Sequence, residues 1–441
     1  MSSVGLLTPI LNGGIQNVNF VTGRVLTAAD LTAERTANLQ RQRLLGISAG
    51  AGVATGFEVT LSSLPATAGA QVVQVSAGVA VNLNGDVMQL PTATNVALTV
   101  SPQTGAGTAV LFAPCSPPQT QLTNPGIYVF TVLPASGYQG QAPVTQMNSN
   151  GVATSCTSQY ATTGVQFRLA QVTLASTGSG LQPTLYALGN QIQTALNSGA
   201  TPASLAPSLS LMQNGMAHVC FGTEDLAGFA ANPFPPAPQD SPYGTYGLID
   251  SLRAAGSITA CEVPLALLYW TPTGVQFLDM WSVRRPLSSP LPDGDWPLFV
   301  GNRHANESEA IFLQFQNQLR QVAATVSDLS TVVASQYFTY LPPVGVLPLA
   351  GAWGPTGFSY QTFFGQAYHS PVYITGDHAA PIIRAALTCP PIDLATNGAV
   401  WLYQPMAGAS TLPYLIFASI YAPFQGQALF DVSLWDYANF S

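Results

Sequence analysis

Residues 71–90 read Gln71-Val-Val-Gln-Val-Ser-Ala-Gly-Val-Ala-Val-Asn-Leu-Asn-Gly-Asp-Val-Met-Gln-Leu90. Apolar and polar residues alternate through 71–76, 79–83 and 86–90, as they do in half-buried β-strands. Asn84-Gly85, between the last two runs, is the favoured pair of a two-residue type I′ turn. The stretch therefore predicts a β-hairpin. Similar runs predict further strands at 57–61, 96–100, 109–112, 127–133 and 165–174.

A helix is predicted before the hairpin, over residues 28–47. Thr27 is a favourable N-cap with Asp30 three residues later, and the acidic residues come before Arg35, Arg41 and Arg43. That order of charges suits the helix dipole. Glycines then end the helix and form a crossing to the first strand, at Gly46, Gly50, Gly52 and Gly56.

A second helix is predicted over residues 304–335, where apolar residues follow the 4-3-4 spacing of a heptad repeat. These residues are Phe315, Leu319, Val322, Val326, Leu329 and Val333. The pattern predicts self-association through a coiled coil. The alternative is a single long helix that lies on the chain's own β domain.

The rest of the chain has weaker signals. A short helix is predicted at 183–197, a Pro/Gly/Ala-rich connector at 198–245, and a hairpin at 261–283. Further strands are predicted at 372–375, 399–403, 413–421 and 428–434. The fold class is mainly β with a few helices (α+β). Its predicted parts are an N-terminal helix and hairpin domain (1–105), a central β domain (106–300), the heptad helix (301–336) and an aromatic β-rich domain (337–441).

The composition excludes some classes of partner. Charged residues make up 7% of the 441 positions, against about 25% in an ordinary domain, and all 11 basic residues are arginine. Nucleic acids and anionic membranes are bound by clustered Lys and Arg, which this acidic chain of pI near 4.7 lacks. The most apolar runs are far shorter than the about 20 residues of a membrane span.

The start of the chain has no basic region followed by a long apolar region, so no secretory signal is predicted. We expect assembly in the cytoplasm, followed by incorporation into an extracellular or envelope-associated particle. The five cysteines are Cys115, Cys156, Cys220, Cys261 and Cys389. An odd, widely spaced set favours buried free thiols, with a Cys115–Cys156 bridge as the alternative.

No motif carries a convincing reaction. Ser48 lies in a G-x-S-x-G match, but the match follows a helix, whereas the catalytic turn joins a strand to a helix. Other weak matches are a glycine-rich segment at 50–56, metal-ligand types at His218, Cys220 and Glu224 and at His304, Glu307 and Glu309, and a calcium-like turn at Asp293 and Asp295. We predict no catalytic residue, cofactor or metal. A glycosidase with two distant carboxylates stays a minor alternative.

Aromatic residues are concentrated at positions 353–368, among few charges. They supply a candidate ligand surface, formed by Trp353, Phe358, Tyr360 and Tyr368. Such side chains stack on sugars or partner proteins, but the same residues also build cores. Both interpretations stand at this point.

Two segments together resemble a known pattern. The first is Asn17-Val-Asn-Phe-Val-Thr-Gly-Arg-Val-Leu-Thr-Ala-Ala-Asp-Leu-Thr-Ala-Glu34, and the second is the 73–85 part of the hairpin. Over residues 15–90 the chain resembles an uncharacterised family associated with baseplates and tail fibres of phage-tail-like extracellular contractile injection systems. The resemblance implies a tail-attachment-like domain whose helix start packs onto a neighbour or onto the adjacent hairpin, with Thr27, Asp30, Leu31 and Glu34 as the docking residues. The chain departs from the family in its very low charge.

The resulting expectation is a structural, non-enzymatic part of a contractile particle. Its partners would be other copies of the chain, with a trimer as one option, and other tail or baseplate proteins. The alternative function is a surface adhesin or glycan-binding module for a cell-surface receptor, carried by the aromatic region.

Overall fold

The chain has an α+β fold with β-rich parts. The computed structural model describes residues 14–62, 71–98, 124–144, 155–231, 246–288, 302–353, 355–396 and 398–421. The helices in these ranges are α1 Ala28–Ala49, α2 Leu181–Asn197, α3 Ala206–Phe221, α4 Thr223–Ala231, α5 Gly247–Ala254, α6 Asn302–Thr325, α7 Tyr360–Phe364 and α8 Ala379–Ala386. None of them is long and apolar enough to cross a membrane.

The strands fall into a four-stranded central sheet, a five-stranded C-terminal sheet and several smaller sheets. In the N-terminal half they are β1 Gly52–Gly56, β2 Val59–Leu61, β3 Val72–Val75, β4 Gly78–Val81, β5 Val87–Leu90, β6 Thr94–Ala97, β7 Gly126–Gln139, β8 Ala142–Val144, β9 Ser155–Thr157 and β10 Tyr160–Val172. In the C-terminal half they are β11 Val263–Thr271, β12 Gly274–Asp279, β13 Tyr340–Leu341, β14 Val344–Pro348, β15 Val372–Thr375, β16 Ile392–Asp393, β17 Trp401–Ala407, β18 Ser410–Thr411 and β19 Tyr414–Ala418.

The central sheet has the antiparallel order β10-β7-β11-β12. Strands β7 and β10 pair along their full length, from Ile127 opposite Val172 to Gln139 opposite Tyr160. Alternate residues of a strand point to opposite faces, and residues 127–134 of β7 are buried on both faces. Phe130 and Val132 lie in one hydrophobic core, and Ile127 and Val129 lie in another.

Two three-stranded sheets, β1-β4-β5 and β2-β3-β6, cover the first face. The predicted hairpin is present as β4 and β5, but its two-residue type I′ turn is wrong. Asn82 pairs with Asp86 around a three-residue loop, because the Asn82 side chain accepts hydrogen bonds from the backbone N–H groups of Asn84 and Asp86 at 3.0 and 2.9 Å. Gly85 takes a positive φ of 79°, as the last residue of such loops commonly does.

Helices α2, α3 and α5 cover the second face of the central sheet. The predicted short helix is confirmed as α2. The predicted connector at 198–245 is wrong over 206–231, where α3 and α4 form, and its remaining part at 232–245 lies outside the described residues. Helix α3 is buried on nearly all sides, so its sequence shows no one-sided apolar period.

Helix α3 contains buried polar side chains, which made its burial hard to predict. These side chains form hydrogen bonds inside the protein. The carboxylate of Asp279 accepts hydrogen bonds from the side chains of Gln213 and Gln314, at 3.1 and 2.9 Å. Gln318 in turn donates to Ser210 at 2.8 Å. This network joins α3 and α6 to the end of β12. Burial raises the pKa of Asp279 above its ordinary value.

A buried ion pair fixes the central sheet to the segment before β11. Arg168 Nη1 lies 2.6 Å from Glu262 Oε1, and Glu262 also accepts hydrogen bonds from Thr131 Oγ1 and the Thr259 N–H, both at 2.8 Å. A buried charge is tolerated when its hydrogen-bonding capacity is filled in this way.

The C-terminal sheet has the order β14-β19-β17-β15, antiparallel except between β15 and β17. Helix α6 lies against it, and the Phe315 ring packs 5.4 Å from the Phe417 ring. The helix predicted over 304–335 is shorter than expected. It ends at Thr325 and is followed by 3₁₀ turns at Leu329–Thr331 and Ala334–Gln336. The predicted strand at 428–434 lies outside the described residues.

The expectation of buried free thiols holds for Cys220 but not for every cysteine. Cys156, Cys220 and Cys389 are free, which excludes the Cys115–Cys156 bridge, and Cys261 is disulfide-bonded to a partner outside the described residues. Cys156 is exposed, whereas Cys220 is buried, and burial raises the pKa of the Cys220 thiol to about 12.

We predict that His218 makes the protein sensitive to mild acid. Burial lowers the pKa of His218 from 6.5 to about 3, so the unfolded chain binds the proton first as the pH falls below 6.5. The buried ring, whose Nδ1 lies 2.8 Å from Thr223 Oγ1, stays neutral in the folded protein. The free energy of unfolding therefore falls as the pH drops below about 6.5. At about 1.4 kcal/mol per pH unit, about 2 kcal/mol is lost by pH 5.

Urea unfolding of wild type, His218→Gln and the exposed-residue control His369→Gln at pH 7 and pH 5 measures this loss. We expect wild type and His369→Gln to lose about 2 kcal/mol more than His218→Gln. Equal losses in all three proteins would contradict the prediction.

Candidate assembly surface

Helix α1 begins with a complete capping box. Thr27 Oγ1 accepts a hydrogen bond from the Asp30 N–H at 3.2 Å, and the Asp30 carboxylate accepts one from the Thr27 N–H at 3.0 Å. Arg24 forms an ion pair with Asp30. The hydrogen bonds from Thr27 hold the pKa of Asp30 below its usual range. Thr27 and Asp30, two predicted docking residues, thus fix the direction in which the helix starts.

The other end of α1 is attached to the hairpin loop. Gly46 and Gly85 approach so closely that a Cβ at either position would overlap backbone atoms of the opposite segment. Arg43 Nε lies 2.6 Å from Asp86 Oδ1. The loop is held in turn by the segment before β11, because Asn82 Nδ2 donates to the Cys261 carbonyl at 3.2 Å.

Between its two ends α1 contacts little else. Residues 14–20 have no regular secondary structure, and the Val18 N–H donates to Glu34 at 3.4 Å. Ala37 and Gly46 are the only buried residues of α1. A 22-residue helix is about 33 Å long, so most of α1 lies away from the cores. We refer to residues 14–49 as the N-terminal arm.

Exposed apolar side chains are concentrated on this arm. Of the 19 large hydrophobic residues that are exposed in the described parts of the chain, nine lie between positions 20 and 47. They are Phe20, Val21, Val25, Leu26, Leu31, Leu39, Leu44, Leu45 and Ile47. Full burial of one such side chain contributes about 1.5–3 kcal/mol, so a surface of this kind marks a contact site.

The arm also carries four of the eleven arginines, Arg24, Arg35, Arg41 and Arg43. Arg24 and Arg43 are paired with carboxylates. Within the described residues no ion pair involves Arg35 or Arg41, and both are exposed. The arm therefore offers both apolar and charged groups to a partner.

The residues predicted for oligomerisation lie elsewhere. Phe315, Leu319, Val322 and Leu329 are buried in the chain's own core, Val326 packs against that core, and Val333 is half-buried. The alternative, a helix laid on its own β domain, is what the structure shows. As buried residues these side chains are not accessible to a second copy.

The predicted ligand surface divides into core and surface residues. Phe358 is buried, Tyr360 and Tyr368 are half-buried with their rings 5.5 Å apart, and Trp353 is 44% exposed. A cavity of about 420 Å³ lies nearby, lined by residues that include Val333, Phe363, Phe364 and Val400.

A further aromatic group was missed by the sequence analysis. The His369 ring stacks on Trp401 at 3.8 Å, and the Tyr421 ring lies 4.9 Å from Trp401. His369 and Tyr421 are exposed. Three residues 20 or more positions apart gave no local signal, because strand pairing brings them together.

The weak chemical motifs do not assemble into sites. Ser48 lies inside α1 and donates to the Leu45 carbonyl, and the glycine-rich segment at 50–56 contains strand β1. Glu307 is engaged by Tyr246 and Arg303, and no cluster of three metal-ligand side chains occurs among the described residues. Asp293 and Asp295 lie outside those residues.

The comparisons with known proteins do not add a family. No protein-family model matches the chain, and a search of curated proteins finds no match either. The arm and the aromatic group are therefore interpreted from their own geometry.

We predict that Gly46→Ala weakens the attachment of α1. Helix propensity alone favours alanine by about 1 kcal/mol, but the new methyl group would overlap the Gly85 backbone. A net destabilisation of about 1–3 kcal/mol is expected, as for other overpacked contacts. Detachment is measured as faster trypsin cleavage after Arg41 and Arg43.

The matched control is Gly189→Ala in α2. A Cβ there would lie 3.4 Å from Met212 Cε, an ordinary contact, so this variant keeps wild-type stability or gains up to about 1 kcal/mol. If Gly46→Ala were cleaved no faster than Gly189→Ala, the close contact would not hold the arm.

Proposed function

We propose that the protein is a structural component of a phage-tail-like contractile injection particle, associated with its baseplate or fibres. It acts without catalysis, by self-association and by docking to other particle proteins. The resemblance of residues 15–90 to the baseplate and tail-fibre family supports the proposal. The N-terminal arm, with its nine exposed apolar residues, is the observation that carries it.

The arm suits assembly because its attachment to the rest of the chain and its exposed contact surface lie in different parts of it. One end is fixed to the hairpin loop by backbone contact, and the rest offers apolar side chains at a distance from the cores. A surface of this composition is stabilised when a neighbouring protein covers it. The predicted docking residue Leu31, 58% exposed, belongs to that surface, whereas Glu34 is half-buried beside Val18.

We predict that the chain sediments with contractile particles in cells that encode both, and that Leu39→Gln/Leu44→Gln does not. These side chains are 46% and 57% exposed, and losing their burial costs about 3–6 kcal/mol of docking energy. Glutamine keeps the helix, since its helix propensity is close to that of leucine. The readout is the fraction of tagged chain that pellets with sheath and tube.

The control is Leu61→Gln/Tyr186→Gln, which removes two apolar residues of similar exposure, 54% and 43%, outside the arm. It should pellet like wild type. A wild-type chain that never pellets with particles would overturn the proposed function, and equal pelleting of both variants would remove the arm from it.

A second function, receptor recognition as an adhesin or glycan-binding module, is favoured by the aromatic group of His369, Trp401 and Tyr421. Exposed rings of this kind stack on sugar rings. We predict that His369→Ala/Tyr421→Ala lowers binding on a glycan array by about three- to tenfold, in line with about 0.5–1.5 kcal/mol per aromatic contact. Trp353→Ala tests the neighbouring surface separately. Undiminished binding by both variants would exclude these rings as the site.

A further inference from the structure

Five residues of α1 form one face, which we call the outer face. They are Leu31, Glu34, Asn38, Arg41 and Leu45. At 3.6 residues per turn they fall within an arc of about 80°. Leu31 and Leu45 are 58% and 69% exposed, and Asn38 and Arg41 are also exposed.

The central three residues are linked along the helix. Asn38 Nδ2 donates to Glu34 Oε1 at 3.2 Å, and Arg41 Nη1 donates to Asn38 Oδ1 at 3.3 Å. The outer face thus has an apolar residue at each end, an amide in the middle, and an acid and a base on either side of it. Read in the opposite direction along the helix, the order of residue types is the same except that the acid and the base have exchanged places.

This order is complementary to itself under a two-fold axis at Asn38. A two-fold interface uses the same surface on both copies, so that residue i meets residue j and j meets i. Leu31 would meet Leu45 of the second copy, and the two Asn38 amides would meet at the axis. Glu34, four residues before Asn38, and the second copy's Arg41, three residues after it, would be offset by about 1.5 Å along the helix, within reach of an ion pair. A parallel, in-register pair would instead place Glu34 beside Glu34 and Arg41 beside Arg41, which is unfavourable.

Six exposed apolar residues at the two ends of the arm agree with this direction. Phe20, Val21, Val25 and Leu26 lie at the free end of the arm, whereas Leu83 and Val87 lie beside its attached end. An antiparallel pair brings the free end of each arm to the attached end of the other. Apolar surface is then covered at both ends of the pair.

From this self-complementarity we infer that two copies of the chain associate through antiparallel α1 helices, with the two-fold axis at Asn38. The inference rests on the proposed self-association and specifies its partner surface and direction. It differs from a fibre-like parallel arrangement, in which the arms would point the same way.

Disulfide cross-linking tests the direction of the helices. In a Cys156→Ser background, Leu31→Cys/Leu45→Cys introduces two thiols about 21 Å apart on one helix, too far for an intramolecular bridge. We expect oxidation to give a covalent dimer in which the tryptic peptide 25–35 is joined to the peptide that begins at residue 44. Bridges between two copies of the 25–35 peptide would show parallel helices and overturn the inference.

Charge exchange tests the contacts themselves. Arg41→Glu should raise the dimer dissociation constant about tenfold, because it turns two attractive pairs into repulsive ones. The matched control Arg35→Glu changes the same charge on a neighbouring face and should change the constant by less than about threefold. Light scattering over a concentration series gives the constants.

Glu34→Arg should weaken the dimer as Arg41→Glu does, and Glu34→Arg/Arg41→Glu should recover the affinity. Both proteins with the Glu34 change lack the hydrogen bond from Val18, so the loss of that bond does not affect the comparison between them. No difference between Arg41→Glu and Arg35→Glu would overturn the inference. A chain that is monomeric in solution but pellets with particles would also overturn it, while leaving the structural role intact.

Discussion

The central sheet must be covered on both faces, and this requirement organises the rest of the described chain. Strand β7 contributes Phe130 and Val132 to one core and Ile127 and Val129 to the other, so neither face can be left to solvent. The two small sheets occupy one face, and α2, α3 and α5 occupy the other. With both faces taken, α1 has no core of its own to join. Among the described residues, its closest attachment is at its end, where Gly46 meets Gly85.

The position of the arm and the stability of its helix depend on different interactions. Its position depends on backbone shape and one half-buried ion pair, Arg43 with Asp86, at a loop that is itself bound to Cys261 in the segment before β11. Its stability as a helix depends on the capping box and on propensity, because Ala37 and Gly46 are its only buried residues. An isolated helix of this length is marginal in water. Covering its apolar side chains would therefore stabilise the helix and the assembly together.

Local signals in the sequence predicted local structure well. The capping residues of α1, the hairpin of β4 and β5, helix α2 and the hairpin of β11 and β12 all follow from short patterns, and the structure contains them. The predictions that failed concern structure that depends on contacts between residues far apart in the sequence. The heptad in α6 shows an apolar stripe, and a stripe alone does not say whether a second copy or the chain's own sheet will cover it. Helix α3 was missed because its polar residues, such as Gln213 and Ser210, are paired inside the core.

The candidate surfaces divide in the same way. The capping residues Thr27 and Asp30 and the exposed Leu31 were recognisable from the α1 sequence, but the lack of any core beneath α1 was not. The group of His369, Trp401 and Tyr421 exists only because strands bring it together.

The scarcity of charge explains why assembly would depend on shape and apolar contact. Several of the few charged side chains form ion pairs within the chain. Arg168 pairs with Glu262, and Arg303 pairs with Glu307 and Asp250. Such pairs are only weakly available to a partner, since breaking one leaves a partly buried charge. Arg41, which is exposed, and Glu34, which is half-buried, belong to no ion pair within the described residues. Two such contacts add little energy beside the burial of Leu31 and Leu45, but they distinguish an antiparallel pair from a parallel one. In this chain the apolar residues of the arm would supply affinity, and its few charges would supply direction.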